Sequence, residues 1–544
     1  MISRAETYDE IYNSFQWNIP EYINMGVECC DKWADEKSRL ALVYLDQQGK
    51  ETNYTFNDLK RLSNKLANGL SACGLKRGQK IGVFLPQCPE TALSHIAAYK
   101  MGAIAMPLFT LFGLDAVSYR LENSEASAVV TDFQNLPKIL EIKPGLPNLQ
   151  IVIVVGGEAP PGTFSFNELV EKASEDFIAV KTKAEDPALI AYTSGTTGNP
   201  KGTLHAHRTI LGHLPGVEFP HNFFPQKGDF FWTPADWAWI GGLIDVLLPS
   251  LYYGIPVLAH RSRKFDPEEA FHLIAKYNIK NAFIPPTALK LMRGVKDPRS
   301  RYAYQMRSIA SGGETLGEEL LSWGEETFGI TINEFYGQTE CNLVVGCCSE
   351  VMEIKPGSMG RAIPGRIVEI VDKNGNLLPP GTIGEIAVKS PNPVTFLEYW
   401  KNPAATKAKY VKEWLLTGDQ AKKDEEGYFW FNGREDDIIT SSGYRIGPAE
   451  IEDCLMKHRA VAMAAVIGRP DPDRTEIIKA FIVPQPGVAP STELEDDIKA
   501  FVKTRLSAHE YPRLIEFVEE MPMTITGKIM RRELKKLDQQ NMEK

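Results

Sequence analysis

Cysteine is scarce in this 544-residue chain: the eight thiols sit at Cys29, Cys30, Cys73, Cys88, Cys341, Cys347, Cys348 and Cys454. That is too few for a disulfide framework, and none shows the C-x2-C spacing with partner histidines of a zinc site, so free buried thiols in a reducing cytoplasm are expected. A basic surplus is missing too. Sixty Lys and Arg against seventy Asp and Glu give a net charge of -10, which argues against nucleic acid or an anionic membrane as a partner. The first residues, Met1 to Glu6, have no apolar leader, and the final Asn541-Met542-Glu543-Lys544 is no peroxisomal address. The most apolar long window, Leu243 to Ala259, is broken by Asp245, Pro249 and Pro256, so it reads as core and not as a membrane span. Repeats and low-complexity tracts are absent. Length alone predicts two to four domains.

The chain does have alternation. From Lys80 onward, strand-like blocks (Ile81–Leu85, Ala103–Met106, Ser127–Thr131, Ile151–Val155, Pro256–Ala259, Asn281–Ile284, Ser308–Ala310) are separated by helix-like ones such as Glu90–Lys100. This predicts an α/β body of parallel sheets with crossover helices. From Ile367 the texture changes to short runs around an Asn374-Gly375-Asn376 turn, a small antiparallel β module. The last hundred residues read as an α+β unit of their own. They show a helix opened by Pro448, strands at Ala464–Ile467 and Ile477–Val483, a Thr492/Glu495 capping box starting a helix to Leu506, and a strand at Leu514–Val518. The expected boundary falls at Arg434–Asp437, giving residues 1–435 as a large N-terminal domain and 436–544 as a small C-terminal one.

Tyr192-Thr193-Ser194-Gly195-Thr196-Thr197-Gly198-Asn199-Pro200-Lys201-Gly202 is the most informative stretch. Glycines bare the backbone N–H groups, hydroxyls add donors and Lys201 adds charge, as a polyphosphate requires. It follows a strand, Ala188–Ala191, and a helix is expected from His207. A Walker loop needs Gly-Lys-Ser/Thr entering the helix, whereas Pro200 precedes this lysine and Gly202 follows it. In these residues the loop resembles the signature of the acyl-adenylate-forming superfamily, which includes acyl-CoA synthetases, luciferases and the adenylation domains of peptide synthetases.

Further motifs follow in that superfamily's order. Ser311-Gly312-Gly313-Glu314-Thr315 offers bare backbone to a flat ring, and Asn333-Glu334-Phe335-Tyr336-Gly337-Gln338-Thr339-Glu340 offers an aromatic face, a hydroxyl and a carboxylate. Thr417-Gly418-Asp419 ends a strand, where an aspartate can accept ribose hydroxyls, and Gly433-Arg434-Glu435-Asp436-Asp437 comes next. The resemblance implies that Thr193, Ser194, Gly195, Thr197, Gly198 and Lys201 cradle the ATP phosphates. It further implies Gly313, Glu314 and Tyr336 at the adenine, Thr339 at the phosphates, and Thr315, Glu334, Phe335, Gly337 and Gln338 elsewhere in the ATP/AMP site. Asp419 and Arg434 fall on the ribose, and Glu340 and Thr196 on Mg2+. It places the catalytic lysine at Lys528, in Thr524-Ile525-Thr526-Gly527-Lys528, and a hinge at Asp436, because such a lysine swings in for one half-reaction and out for the other. Ser442-Gly443-Tyr444-Arg445 resembles the thioester-forming face that meets CoA.

Ser442 to Pro448 and Glu510-Tyr511-Pro512-Arg513 look most like medium-chain acyl-CoA synthetases and their acetyl-CoA synthetase relatives. The resemblance implies a ligase joining a carboxylic acid to CoA with ATP, releasing AMP and pyrophosphate through an acyl-adenylate. The alternatives are a non-catalytic homologue that binds acyl groups or nucleotides, or an adenylating enzyme with a different acceptor. The acyl pocket is expected from Trp237, Trp239, Ile240, Gly241, Gly312 and Gly337. Acetate-specific relatives close it with a tryptophan where this chain has Gly337, which should open it, while Trp237 adds an indole that would refill the space. Short- to medium-chain monocarboxylates, acetate included, are the expected range. A monomer or a homodimer fits equally.

Overall fold

The computed structural model describes all residues except 36, 37, 194–199, 263, 435, 436, 438, 442, 443, 472, 473, 507–510, 525, 526, 543 and 544, and describes 434, 440, 444, 445 and 450 by backbone alone. Among the described residues, four sheets carry the chain. Two large ones form the α/β body. The first runs Glu398–Tyr399, Lys201–Ala206, Pro187–Thr193, Ile104–Pro107, Lys80–Phe84, Ala126–Asp132, Ile151–Val155 and Phe164–Ser165. It is parallel from Pro187–Thr193 outward. The second has at its centre the parallel strands Val257–His260, Phe231–Trp232, Asn281–Phe283, Ser308–Gly312 and Asn333–Gln338. Its central strands are largely buried, and the polar residues they bury, such as Asn281, Ser308 and Asn333, are hydrogen-bonded. The central helix Pro89–Lys100 is buried along its length.

The antiparallel module follows, with strands Val368–Val371, Gly384–Lys389, Tyr410–Val411, Trp414–Lys423 and Phe429–Arg434. Its Asn374-Gly375 turn is held by Asp372, whose Oδ1 accepts the N–H groups of Asn374 and Asn376 while Gly375 supplies a positive φ. The C-terminal unit packs the helices Pro448–Met456, Thr492–Arg505 and Arg531–Met542 against a mixed sheet whose longest pair is Val461–Asp471 with Thr475–Pro484. It has its own cores, one around Ile439, Ile451, Leu455, Val466 and Ile498, the other around Phe481 and Leu534.

Two local expectations are corrected. The segment after the glycine-rich loop is a strand, Lys201–Ala206, antiparallel to Pro187–Thr193, and the helix begins only at Thr209. The loop therefore connects a β-hairpin, with Thr193 paired to Lys201. Helix Thr492–Arg505 is capped by Ser491, which accepts the Leu494 N–H, and Glu495 is spent on an ion pair with Lys499. The cap is set one residue earlier because Ser491 holds the extended backbone that a cap needs.

Candidate active site

Two hydrogen bonds tie the sheets together near the motifs: Tyr336 to Asp419 joins the second large sheet to the antiparallel module, and Tyr399 to Glu340 joins the edge strand of the first large sheet to the second. Thr193 and Lys201 hold the ends of the glycine-rich loop. Ser194, Gly195, Thr196, Thr197 and Gly198 lie outside the described residues. Both loop ends are braced from the same helix, Leu114–Ser124: the Tyr119 hydroxyl donates to the Pro200 carbonyl at 3.1 Å, and Tyr192 donates to Asn123 at 2.7 Å. The Trp400 indole N–H closes the brace on the Asn123 carbonyl at 3.0 Å.

Glu340 sits in the turn between Asn333–Gln338 and Asn342–Gly346 and is buried, only 8% exposed. Its carboxylate accepts the Tyr399 hydroxyl. Tyr399 lies on the edge strand paired to Lys201–Ala206, and the Lys201 ammonium stands 5.2 Å from its ring centroid. One phenol thus joins the loop lysine to the glutamate, and nothing in the motif spacing announced it. The only signal was an aromatic pair, Tyr399-Trp400, at the end of the sixty-residue stretch after Glu340.

Alternation along Asn333–Gln338 divides its side chains between two faces. Glu334 is buried beneath the site, where it accepts the Leu316 N–H, and burial pushes its carboxyl up to about 8. Tyr336 donates to Asp419 Oδ2 at 2.6 Å, and Gln338 donates to the same carboxylate oxygen. Burial, followed by the Asp419 charge, raises the Tyr336 phenol well above its ordinary range, so it is held as a donor. Asp419 is paired in register with Arg434, whose backbone alone is described. Thr339 and Glu340 complete the turn.

Phe335 is corrected. Its ring packs against Phe283 at 5.2 Å, directly under Gly312, where a Cβ would stand 2.5 Å from it. Its side chain is buried, 6% exposed, so it offers no open aromatic face. Gly337 is corrected as well: a Cβ there would lie 1.8 Å from the Asn342 carbonyl oxygen, so the glycine is a requirement of the hairpin and not an opening into a pocket. The bulge between Tyr336 and Gly337 brings the two backbones together.

Phe283, Phe335, Gly241 and Gly312 pack together beneath Trp239, which is itself half-buried and offers their exposed face. The Trp239 and Phe283 rings are 5.5 Å apart, and a Cβ on Gly241 would stand within 3.0 Å of both. Ile240 is half-buried at the start of the adjoining helical turn. Trp237, expected as a second wall, is fully buried in the large core with Leu243 and Leu247.

Lys528 reaches this surface from the other domain. Gly313 has φ +98°, and at the position a Cβ would take on it, Lys528 Cε lies 3.5 Å away and Trp239 Cη2 3.6 Å away. The Lys528 turn closes locally, since the Thr524 N–H donates to the Lys528 carbonyl at 2.7 Å. The docked domain is held by Lys457 and Glu318 at 2.8 Å and by Asp453 against Gly317. The Glu314 carboxylate accepts from Thr287 beside this contact. Thr315 follows it in the bend beyond the strand. Ser442, Gly443 and the Asp436 hinge lie outside the described residues, and Tyr444 and Arg445 are described only as a strand pairing with Ile439–Ser441.

Comparison with known proteins places the chain in a family. Residues 30–400 match the model of the AMP-binding enzymes, and residues 450–528 match that of the AMP-binding enzyme C-terminal domain. The chain is 38% identical to an acetyl-coenzyme A synthetase of Bacillus subtilis over 97% of its length and 95% of the relative's. It is 35% identical to a mitochondrial acyl-coenzyme A synthetase, ACSM3, of Pongo abelii over 97% and 92%. Among solved structures, an anthranilate CoA ligase, AuaEII, in complex with anthranoyl-AMP superposes with a TM-score of 0.89 at 28% identity, covering 97% of this chain and 99% of that one. An acyl-CoA synthetase of Brucella canis gives 0.77 at 33% identity, covering 99% and 100%. The chain belongs to the AMP-binding enzyme family, and within it to the AMP-forming acyl-CoA synthetases. Its activity is therefore ATP-dependent ligation of an acyl group to CoA through an acyl-adenylate. No helix among the described residues is long and apolar enough to cross a membrane.

Proposed function

We propose that the enzyme activates short- to medium-chain monocarboxylic acids and that Lys528 is its catalytic lysine for the adenylation step. The observation that carries this reading is the approach of Lys528 to Gly313 beside Trp239, a C-terminal cation delivered to the junction of the nucleotide segment and the apolar surface. In this role the ammonium neutralises charge as the acid's carboxylate attacks the α-phosphorus, and pyrophosphate leaves. A cation about 4 Å from developing charge is worth at most about 4 kcal/mol at an effective dielectric of 20. Thr193, Lys201 and the hydroxyls between them hold the triphosphate, Tyr336, Gln338 and Asp419 fix the nucleoside, and Trp239, Phe283 and Phe335 exclude water from the acyl group. After adenylation the C-terminal domain, from residue 436 on, turns about Asp436 and presents Ser442, Gly443, Tyr444 and Arg445 to CoA. The CoA sulfur then attacks the acyl carbon and AMP leaves with the electron pair.

Glu340 and Thr196 are the residues that would hold Mg2+. The donor set suits that ion. No group of three or more His, Cys, Asp or Glu side chains is clustered among the described residues, and Mg2+ takes one or two carboxylates with substrate phosphates and water. Bound there, it would neutralise triphosphate charge. Pyrophosphate release on mixing the protein, MgATP and each of a panel of C2 to C8 acids tests the reading. Release with short and medium acids is expected, and none with any acid overturns it.

A further inference from the structure

Thr287 opens the short helix Pro286–Met292 on the N-terminal domain, just beyond the strand Asn281–Phe283. Its hydroxyl faces two groups at once. One is the Glu314 carboxylate, with oxygens at 3.1 and 3.0 Å, and the other is the carbonyl oxygen of Gly527 at 3.3 Å. Glu314 is the neighbour of Gly313, and Gly527 is the neighbour of Lys528. The pair Gly313–Lys528 that defines the catalytic approach therefore has a second pair alongside it, bridged by one threonine. Gly527 has φ +84°, a left-handed turn conformation that glycine adopts readily, with its carbonyl facing Thr287 and the following Lys528 side chain extending toward Gly313. Close by, Arg531 binds Glu452 and feels the negative charge of Glu314.

We infer that Thr287 is a positioning residue for adenylation. It latches the Lys528 turn of the C-terminal domain onto the Gly313–Glu314 segment of the N-terminal domain. A hydroxyl carries one proton, so it donates either to Glu314 or to Gly527. The charged acceptor binds it more strongly, and any contact that engages the Glu314 carboxylate from elsewhere frees the proton for the Gly527 carbonyl. The latch exists only while the two domains are docked in this way, so it acts on one half-reaction. Thr287 touches no reacting atom, and its effect passes through Lys528. The inference rests on the adenylation role of Lys528.

The test compares Thr287→Val, which keeps the shape and removes the hydroxyl, with Thr287→Ser, which restores it. Two rates are read on the full chain: acid-dependent exchange of pyrophosphate into ATP, and thioester formation from supplied acyl-adenylate and CoA. Thr287→Val is expected to slow the exchange about three- to tenfold, the loss of one neutral hydrogen bond between the domains, to leave the thioester rate unchanged, and to be rescued by Thr287→Ser. An equal fall in both half-reactions, no fall in either, or failure of the serine to rescue overturns the latch. Lys528→Ala run beside them separates the two claims. If that variant keeps full exchange, the role of Lys528 falls, whereas if it loses exchange and Thr287→Val does not, only the latch falls.

Discussion

The Tyr336 hydroxyl donates to Asp419 across 2.6 Å, and that bond joins a strand of the nine-stranded sheet to a strand of the antiparallel module. The Asp419 carboxylate is also held by Gln338 and is buried to 6% exposure, so its orientation is fixed by the fold, as the proposed ribose contact requires.

Tyr336→Phe is expected to raise the KM for ATP about tenfold with a smaller change in kcat, because a pre-oriented hydrogen bond to a charged group is worth about 1.5–3 kcal/mol. Steady-state kinetics at varied ATP checks this. An unchanged KM would separate Tyr336 from the ribose site.

Lys528→Ala is expected to abolish pyrophosphate exchange while much of the thioester step persists when acyl-adenylate is supplied. The side chain comes to Gly313 and Trp239 from the C-terminal domain, so equal loss of both half-reactions would refute the proposed swinging-domain assignment.

Tyr399→Phe removes the hydroxyl that orients Glu340. Loss of such a supporting bond typically costs about 10–100-fold in metal affinity. The Mg2+ concentration for half-maximal activity is expected to rise by that order. The binding of Mn2+ to the ATP complex, followed by its spin signal, is expected to weaken in parallel. Unaltered Mn2+ binding would show that Glu340 needs no such support.

Trp239→Gly, and not Trp237→Gly, is expected to shift preference toward longer acids, since Trp239 lines the surface beside Lys528 while Trp237 is fully buried in the large core. Truncating Trp237 is expected to cost about 3–5 kcal/mol of stability. A panel of acids and a denaturant titration read the two effects separately.

Glu334 titrates from an ordinary value of 4.5 up to about 8 in the fold, chiefly through burial. Between those values the native state holds a proton that the unfolded chain has released, so its contribution to stability falls as pH rises through that window. Glu334→Gln should remove this fall. The melting temperature of the variant is expected to match the wild type near pH 5 and to exceed it near pH 8, and a constant difference across the range would contradict the assignment.

The sequence by itself determined the class of the enzyme. Its signature elements are local: the glycines and hydroxyls of Thr193–Gly202, the Gly312-Gly313 bend, the turn carrying Thr339 and Glu340, and Asp419 at a strand end each owe their chemistry to neighbours in the chain. Local pattern also gave the parallel body, because strands buried on both faces are mostly apolar and alternate with helices. The strand at Lys201–Ala206 was not legible, since its pairing depends on a partner across the loop and on Tyr399, almost two hundred residues later.

The tertiary structure alone decided the meetings between distant residues. Tyr399 on Glu340, Tyr336 on Asp419, Phe335 under Gly312, and Thr287 between Glu314 and Gly527 link segments tens to hundreds of residues apart. No period or motif encodes such contacts, which arise when burial of the domain cores fixes where each strand ends. Gly337 shows the difference most directly. In the sequence it reads as a missing side chain in a pocket, and in the fold it is the one residue small enough to pass the Asn342 carbonyl.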